Sequence, residues 1–404
     1  MTTDQTGGVQ LNGCPVIHME TGIERPVGEW LQYFADLREG SPYYWNENGG
    51  YWVLTRSNQV REVFQNPQVF TNDSVSPADP DPPYKWIPSN INPPTHVEYR
   101  QILNHAFGPA AVARMEPTAR EYCRLTIDEF FDKGSCEFMT EFAGVYPTRV
   151  FLKMIDLPWE EAPFFVGLVE QIFNGLFGLN GRGIDDVVAA MGEIRTYFEN
   201  LIEDRRRSPR DRMEDFLTYV MSSSIAGEPI TDDDVLNIFN QLVLAGLDTV
   251  KSQLGYALLH LATNPEDRAR VLREPEVIPT AIEEFLRAYP LIMDGRKVGE
   301  DTDFHGCPMK KGQMVMLVLP AALRDPRTVE QPEEVILDRQ RNNHMAFGAG
   351  PHRCLGSHLT RMEMAVALEE WHRRIPEYRL AIDVDKVMER GGQLALRSLP
   401  LVWA

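Results

Sequence analysis

The spacing of apolar and polar residues changes along the chain, and the changes mark its elements. Residues 1–30 carry no sustained periodicity and read as an irregular arm. Apolar residues within 50–55 predict a short strand, and the pattern over Ser57–Gln65 predicts a helix that ends near Pro67. Residues 74–94 are crowded with Pro and Asp and predict a long loop, a feature that in compact domains usually carries function. The loop closes on Pro93-Pro94-Thr95-His96-Val97-Glu98. Thr95 with Glu98 predicts a capping box at a helix start, which puts His96 and Arg100 four apart on one helix face. Helical spacing then prevails to about residue 290. Thr231 with Asp234 predicts another capped start, and the helix behind it runs to Asn264-Pro265. At 1.5 Å per residue that is roughly 45 Å, enough to cross a whole domain. Beyond 290 come short strand-like segments, a glycine-rich loop at 347–356, a helix ending before Pro376 and a terminal strand in the tail. The prediction is a mainly α fold with a minor β-rich region.

Composition narrows the picture. A hydrophobic fraction of 43% with 10% aromatic residues supports a large core. The longest apolar run, 314–323, is short and broken by Pro320, so no membrane partner is expected. The opening MTTDQTGGVQLNG lacks the basic and apolar regions of a signal peptide. Five cysteines (Cys14, Cys123, Cys136, Cys307, Cys354) are odd in number and show no CxxC spacing. They predict a reducing, cytoplasmic setting and no disulfide framework. A net charge of -19 argues against nucleic acid as a partner, because phosphate binding needs clustered positive charge.

The most informative residues are Phe347-Gly348-Ala349-Gly350-Pro351-His352-Arg353-Cys354-Leu355-Gly356. Glycines let a turn bring its backbone against a flat group. Cys354 is expected at the start of the following helix, where free N–H groups and the helix dipole stabilise a thiolate. A buried structural cysteine, or a nucleophile with His352 as base, would be the bland alternatives. The segment resembles the FxxGxxxCxG haem-binding loop of the cytochrome P450 family, with every fixed position matched. The resemblance extends over essentially the whole chain.

The resemblance implies a cytochrome P450 fold used by a single haem domain over 1–404, with a long central helix over the haem. It implies heme b (iron protoporphyrin IX) with Cys354 as the metal ligand, Phe347 shielding the sulfur, Gly356 leaving room beside the macrocycle, and Gly348 among the cofactor-binding residues. Glu284 and Arg287 match the family's structural ExxR pair, although a surface ion pair is the default reading of such spacing. Ala245-Gly246-Leu247-Asp248-Thr249 matches the (A/G)GxDT pattern of the central helix. There Ala245 and Gly246 open a groove for dioxygen, while Asp248 and Thr249 relay protons. Thr249 could instead bond back to its own helix, and Asp248 could be a surface acid. His96, Arg100, Arg296 and His352 stand at positions that meet the haem propionates.

Within the family the chain resembles the camphor-monooxygenase branch, through Tyr84-Lys85-Trp86-Ile87-Pro88, Asn92-Pro93-Pro94, residues 291–296 and the tail Leu399-Pro400-Leu401-Val402-Trp403. Tyr84 is then a donor to a substrate oxygen, or a loop tyrosine packing by its ring. Trp86, Val75, Leu244 and Ile292 add apolar walls. Gln241 and Gln393 depart from that branch, and a buried amide needs partners, so a small, mostly apolar substrate with one or two oxygens is expected. Terpenoids come first and aromatics second. The implied reaction is hydroxylation by O2, with electrons from a separate ferredoxin and an NAD(P)H-dependent ferredoxin reductase upstream. Arg353, Arg100 and Arg61 are candidates for the docking patch. A peroxide-driven peroxygenase and a non-catalytic haem ligand-binding protein are the alternatives.

Overall fold

A computed structural model describes residues 10–404 apart from 12, 78, 177 and 178. Its centre is the 32-residue helix Asp232–Thr263. The helix starts where predicted: Thr231 Oγ1 accepts the Asp234 N–H at 3.1 Å, and Asp232, Asp233 and Asp234 place carboxylates at its positive end. It is buried along most of its length, as an axial core helix must be. Helices Tyr146–Met154, Ala162–Leu176 and Ile184–Arg207 pack on it, as do Ile278–Ala288 and Ser357–Arg374. About 52% of the chain is helical, so the mainly α expectation holds.

The β portion is small. A seven-stranded sheet carries Tyr51–Leu54, where the apolar stretch predicted it, beside Met314–Val318 in parallel register, with Val53 opposite Met316. Met293–Val298 follows in antiparallel register and brings Arg296 opposite Val315. The tail forms the predicted strand, Pro400–Val402, paired with Arg379–Leu380 and Ser135–Glu137.

Three expectations are corrected. The arm is not irregular throughout: Cys14–Ile17 pairs with Tyr43–Asn46, Glu24–Pro26 pairs with Met388–Arg390, and a helix begins at Glu29. These strands are too short to show a period, and their partners lie elsewhere in the chain. The capping box at Thr95 does not form. Pro94 is the N-cap residue without a side-chain bond, and the Glu98 carboxylate accepts the Ala226 N–H at 2.5 Å instead. The buried Cys14 and Cys307 are joined by a disulfide, across a separation of 293 residues that no spacing rule could read.

The Glu284–Arg287 pair is a buried structural device rather than a surface pair. Glu284 accepts Arg287 Nε at 2.8 Å and Nη2 at 2.9 Å. It also accepts Arg339 Nε at 2.9 Å, the Ile336 N–H at 2.9 Å and Asn342 Nδ2 at 3.1 Å. Burial alone would raise its carboxyl, but Arg287 and Arg339 more than offset this and hold it below the usual range. Since 336–342 lead directly into 347–356, the core helix Ile278–Ala288 staples the cysteine loop in place.

Candidate active site

The cysteine loop is built by its backbone. Cys354 N–H donates to the Phe347 carbonyl at 2.8 Å, and Gly348 N–H to that of Met345 at 2.8 Å. Gly350 needs to be glycine twice over: its φ is +74°, and a Cβ would lie 2.4 Å from the Phe64 carbonyl oxygen. Gly348 also has a positive φ of +71°. At Gly356 the nearest atom to an added Cβ would be the cysteine sulfur at 4.0 Å, so the protein leaves open space there. Phe347 lies under the Arg361 guanidinium, 4.5 Å from ring centroid to carbon.

Cys354 precedes its helix rather than opening it, because Ser357–Arg374 begins three residues later with Gly356 as N-cap. It lies deep in the fold, yet its side chain is accessible, so the sulfur faces an internal hollow. Burial pushes the thiol up. The Gly356 N–H and the Arg100, Arg353 and Arg361 charges pull the other way. Ala245 is likewise accessible although its helix is buried, which opens the hollow toward the central helix.

Beside the loop stands a cluster of imidazole and guanidinium groups. The His96 and His352 rings meet at 3.9 Å between centroids. His96 Nδ1 and His352 Nε2 are buried without hydrogen-bond partners. Burial, then His96 and the Arg296 and Arg100 guanidiniums, push the His352 imidazole down to about 2. Burial and Arg100 push His96 down to about 4. Arg296 is held by Asp294 at 2.9 Å and lies 5.0 Å over the Phe64 ring. Orphaned imidazole nitrogens beside two guanidiniums are a built receptor for a pair of carboxylates. Together with an accessible thiol, the donor set fits a flat, dianionic cofactor whose metal takes one sulfur ligand.

On the central helix the roles divide. A Cβ on Gly246 would lie 2.5 Å from the Phe151 ring, so its smallness serves helix packing, while Ala245 faces the hollow. Thr249 Oγ1 donates to the Ala245 carbonyl at 2.9 Å, which leaves the oxygen lone pairs to accept. Asp248 is no surface acid. It is buried, paired with Arg390, and accepts Gln393 Nε2 at 2.8 Å. Gln393, expected on a substrate wall, therefore gives its amide hydrogen to Asp248. Arg390 lies over the Phe173 ring at 5.1 Å.

The remaining predicted residues sit as follows. Val75, Tyr84 and Ile292 are partly buried against the main core, and Trp86 and Leu244 are buried in it. Gln241 has a buried Oε1 without a partner. Tyr84 does not offer its hydrogen freely, since its hydroxyl donates to Asp79 Oδ2 at 2.9 Å. Sequence reasoning missed Asp79, Arg339 and Arg390. Each is an ordinary charged residue in irregular or short β structure, and nothing local marks it.

The family model described as Cytochrome P450 matches residues 134–374. The chain is 31% identical over 366 residues to "Probable cytochrome P450 127A1" of Sinorhizobium fredii (strain NBRC 101917 / NGR234), covering 90% of this chain and 86% of that one. It is 29% identical to "Cytochrome P450-terp" of Pseudomonas sp, covering 83% and 85%. Among solved structures, that of CYP101J2 superposes with a TM-score of 0.86 at 31% identity over 100% of both chains. Among the described residues, no helix is long and apolar enough to cross a membrane.

Proposed function

This chain belongs to the cytochrome P450 family and is a haem monooxygenase; we propose that it hydroxylates a small, mostly apolar molecule in the cytoplasm, with electrons from a separate ferredoxin. The reading takes 1–404 as one haem unit, and terpenoids as the first substrate class and aromatics as the second. The observation that carries it is the accessible Cys354 sulfur inside the fold, beside two histidines with unused ring nitrogens. Heme b, when bound, supplies the activation of dioxygen and the insertion of one oxygen atom into a C–H bond.

The chain's own residues do the rest. Cys354 would hold the iron through its sulfur, which faces the internal hollow. Arg100, Arg296, His96 and His352 would bind the two carboxylates of the group and so orient it. Asp248 lies on the central helix one residue before Thr249, held by Arg390 and Gln393, and Thr249 is the hydroxyl at the hollow. In the proton relay Thr249 would serve as a hydrogen-bond acceptor, since its own hydrogen is given to the Ala245 carbonyl, and Asp248 would have to leave Arg390 to take a proton from solvent and pass it on. Val75, Trp86, Leu244 and Ile292 exclude water from the substrate. Gln241 Oε1, buried without a partner, supports a substrate carrying a donor, because an unmet buried acceptor costs about 1–3 kcal/mol.

The test is turnover of the holoenzyme with ferredoxin, reductase and NADH over a panel of small terpenoids and aromatics. Hydroxylated product coupled to NADH is the expected result, and product from peroxide alone with none from NADH would overturn it. In the same assay Thr249→Ala should keep the substrate-induced spin shift but divert electrons to peroxide, lowering product per NADH on the order of tenfold. Unchanged coupling would remove Thr249 from the relay.

The ferredoxin reading rests on Arg353, exposed next to the cysteine, with Arg100 and with Arg61, whose Nη2 donates to the Asn343 carbonyl at 3.1 Å. In a chain of net charge -19, such a local patch steers an acidic partner. Raising ionic strength from low to several times physiological should therefore reduce ferredoxin-driven turnover a few-fold, through KM for the ferredoxin. A KM indifferent to salt would rule the patch out.

A further inference from the structure

We propose that the Asp79–Tyr84 pair makes this enzyme prefer a substrate that presents a hydroxyl to the 72–94 loop over one that presents a carbonyl. The inference rests on the function proposed above, in which that loop covers a small, mostly apolar substrate.

The loop is tied down on both of its flanks. Gly295, next to Arg296, has no side chain, and a Cβ there would lie 2.6 Å from the Val75 carbonyl oxygen, so the loop rests directly on that strand. Lys297 Nζ donates to the Pro80 carbonyl at 3.1 Å and to Asp81 at 2.5 Å. At the loop's base, Asn92 Oδ1 accepts the Asn72 N–H at 2.8 Å, and Asn92 Nδ2 donates to Asp73 at 2.7 Å. Its far end runs into the helix Thr95–Phe107, whose His96 packs against His352 of the cysteine loop. Tyr84 thus lies in a segment suspended between the two elements that reach the cofactor edge.

A phenol has one hydrogen, and here it is taken. Tyr84 donates it to the Asp79 carboxylate at 2.9 Å, a charge-assisted bond. Asp79 is itself pinned by its backbone, since its carbonyl accepts the Ser74 hydroxyl at 2.7 Å and its N–H donates to the Ser76 carbonyl at 3.0 Å. The Tyr84 ring is fixed in turn by Trp86, 4.9 Å away between centroids and itself buried. Burial, then the bond to Asp79, raises the phenol well above its ordinary range, so it keeps its hydrogen at any working pH.

What the pair shows to a ligand is therefore two kinds of acceptor, the phenol lone pairs and the free carboxylate oxygen. A ketone brings only another acceptor and must first displace Asp79 from Tyr84. An alcohol donates its hydrogen without breaking anything. Gln241 Oε1, an acceptor with no partner, points independently to the same substrate property.

The experiment is spectral titration of the holoenzyme with bicyclic monoterpene alcohols and the ketones of the same carbon skeletons, reading the high-spin shift. The wild-type protein should bind each alcohol on the order of tenfold more tightly than its ketone. Asp79→Ala frees the phenol hydrogen, so the ketone should tighten about tenfold and the preference should close or invert. Tyr84→Phe should weaken the alcohol toward the ketone's affinity. The ferrous carbonyl spectrum of each variant reports whether the cysteine loop is native. If Asp79→Ala fails that check, Asp79→Asn keeps the shape and should also narrow the preference, since its amide can donate. Equal affinities in the wild type, or a preference untouched by both variants, overturns the proposal alone. If no member of any pair shifts the spectrum, the terpenoid reading falls and this proposal with it.

Discussion

A Cys354→Ala protein is expected to lose the red-shifted Soret band of its ferrous carbonyl complex, and hydroxylation should fall to background with it. The band would report the Cys354 thiolate as the iron's ligand, and the same thiolate would supply the electron donation that oxygen activation needs, so the two should disappear together. The fold should survive. The sulfur faces a hollow rather than packed atoms, and the loop is held by backbone bonds such as Cys354 N–H to Phe347 O at 2.8 Å, which alanine keeps. Cys354→His separates ligand loss from haem loss, because an imidazole retains haem but shifts the band to shorter wavelength. A persisting red-shifted band in the alanine variant would overturn the ligand assignment and everything built on it.

The second large effect is structural. Glu284→Ala should destabilise the protein by about 3–5 kcal/mol, because it leaves the buried Arg287 and Arg339 guanidiniums without their counter-charge. Net stabilities are only about 5–15 kcal/mol, so this removes a large share. Thermal denaturation should show a melting temperature about 5 °C lower, with poor haem retention, since 336–342 would no longer anchor the cysteine loop. Glu284→Gln restores one acceptor but not the charge and should fall between. An alanine variant that melts within a degree or two of the wild type would show that the network does not staple the loop.

Much of this architecture is legible in the chain itself. The helix Ser57–Gln65 and the cap at Thr231 rest on interactions within one or two turns, so their energies are set by neighbouring residues. The cysteine loop is legible for the same reason: positive φ at Gly348 and Gly350 is a property of single residues, and it dictates the turn whatever surrounds it. The i,i+3 spacing of Glu284 and Arg287 likewise guarantees that they share a helix face.

Local signals failed where a side chain had more than one possible partner. Glu98 sits three residues after Thr95, as a capping box requires, yet packing brings the Ala226 N–H within its reach. Tyr84 is separated from Asp79 by only five residues, but a loop without periodicity gives no hint that the two will face each other.

The sequence by itself determined the cofactor and the class of chemistry and singled out Cys354 as the proposed ligand, because these depend on a contiguous loop and two short helical motifs. Only the tertiary structure decided which groups are free to act. It gave Asp248 to Arg390, 142 residues away, turned Gln393 toward the same carboxylate, joined Cys14 to Cys307, and placed the two histidine rings together with unused nitrogens. The physical reason is that a buried polar group must find a partner among whatever the packed elements bring within about 3 Å. That set is fixed by the relative placement of helices and strands distant in the chain, and no local pattern encodes it.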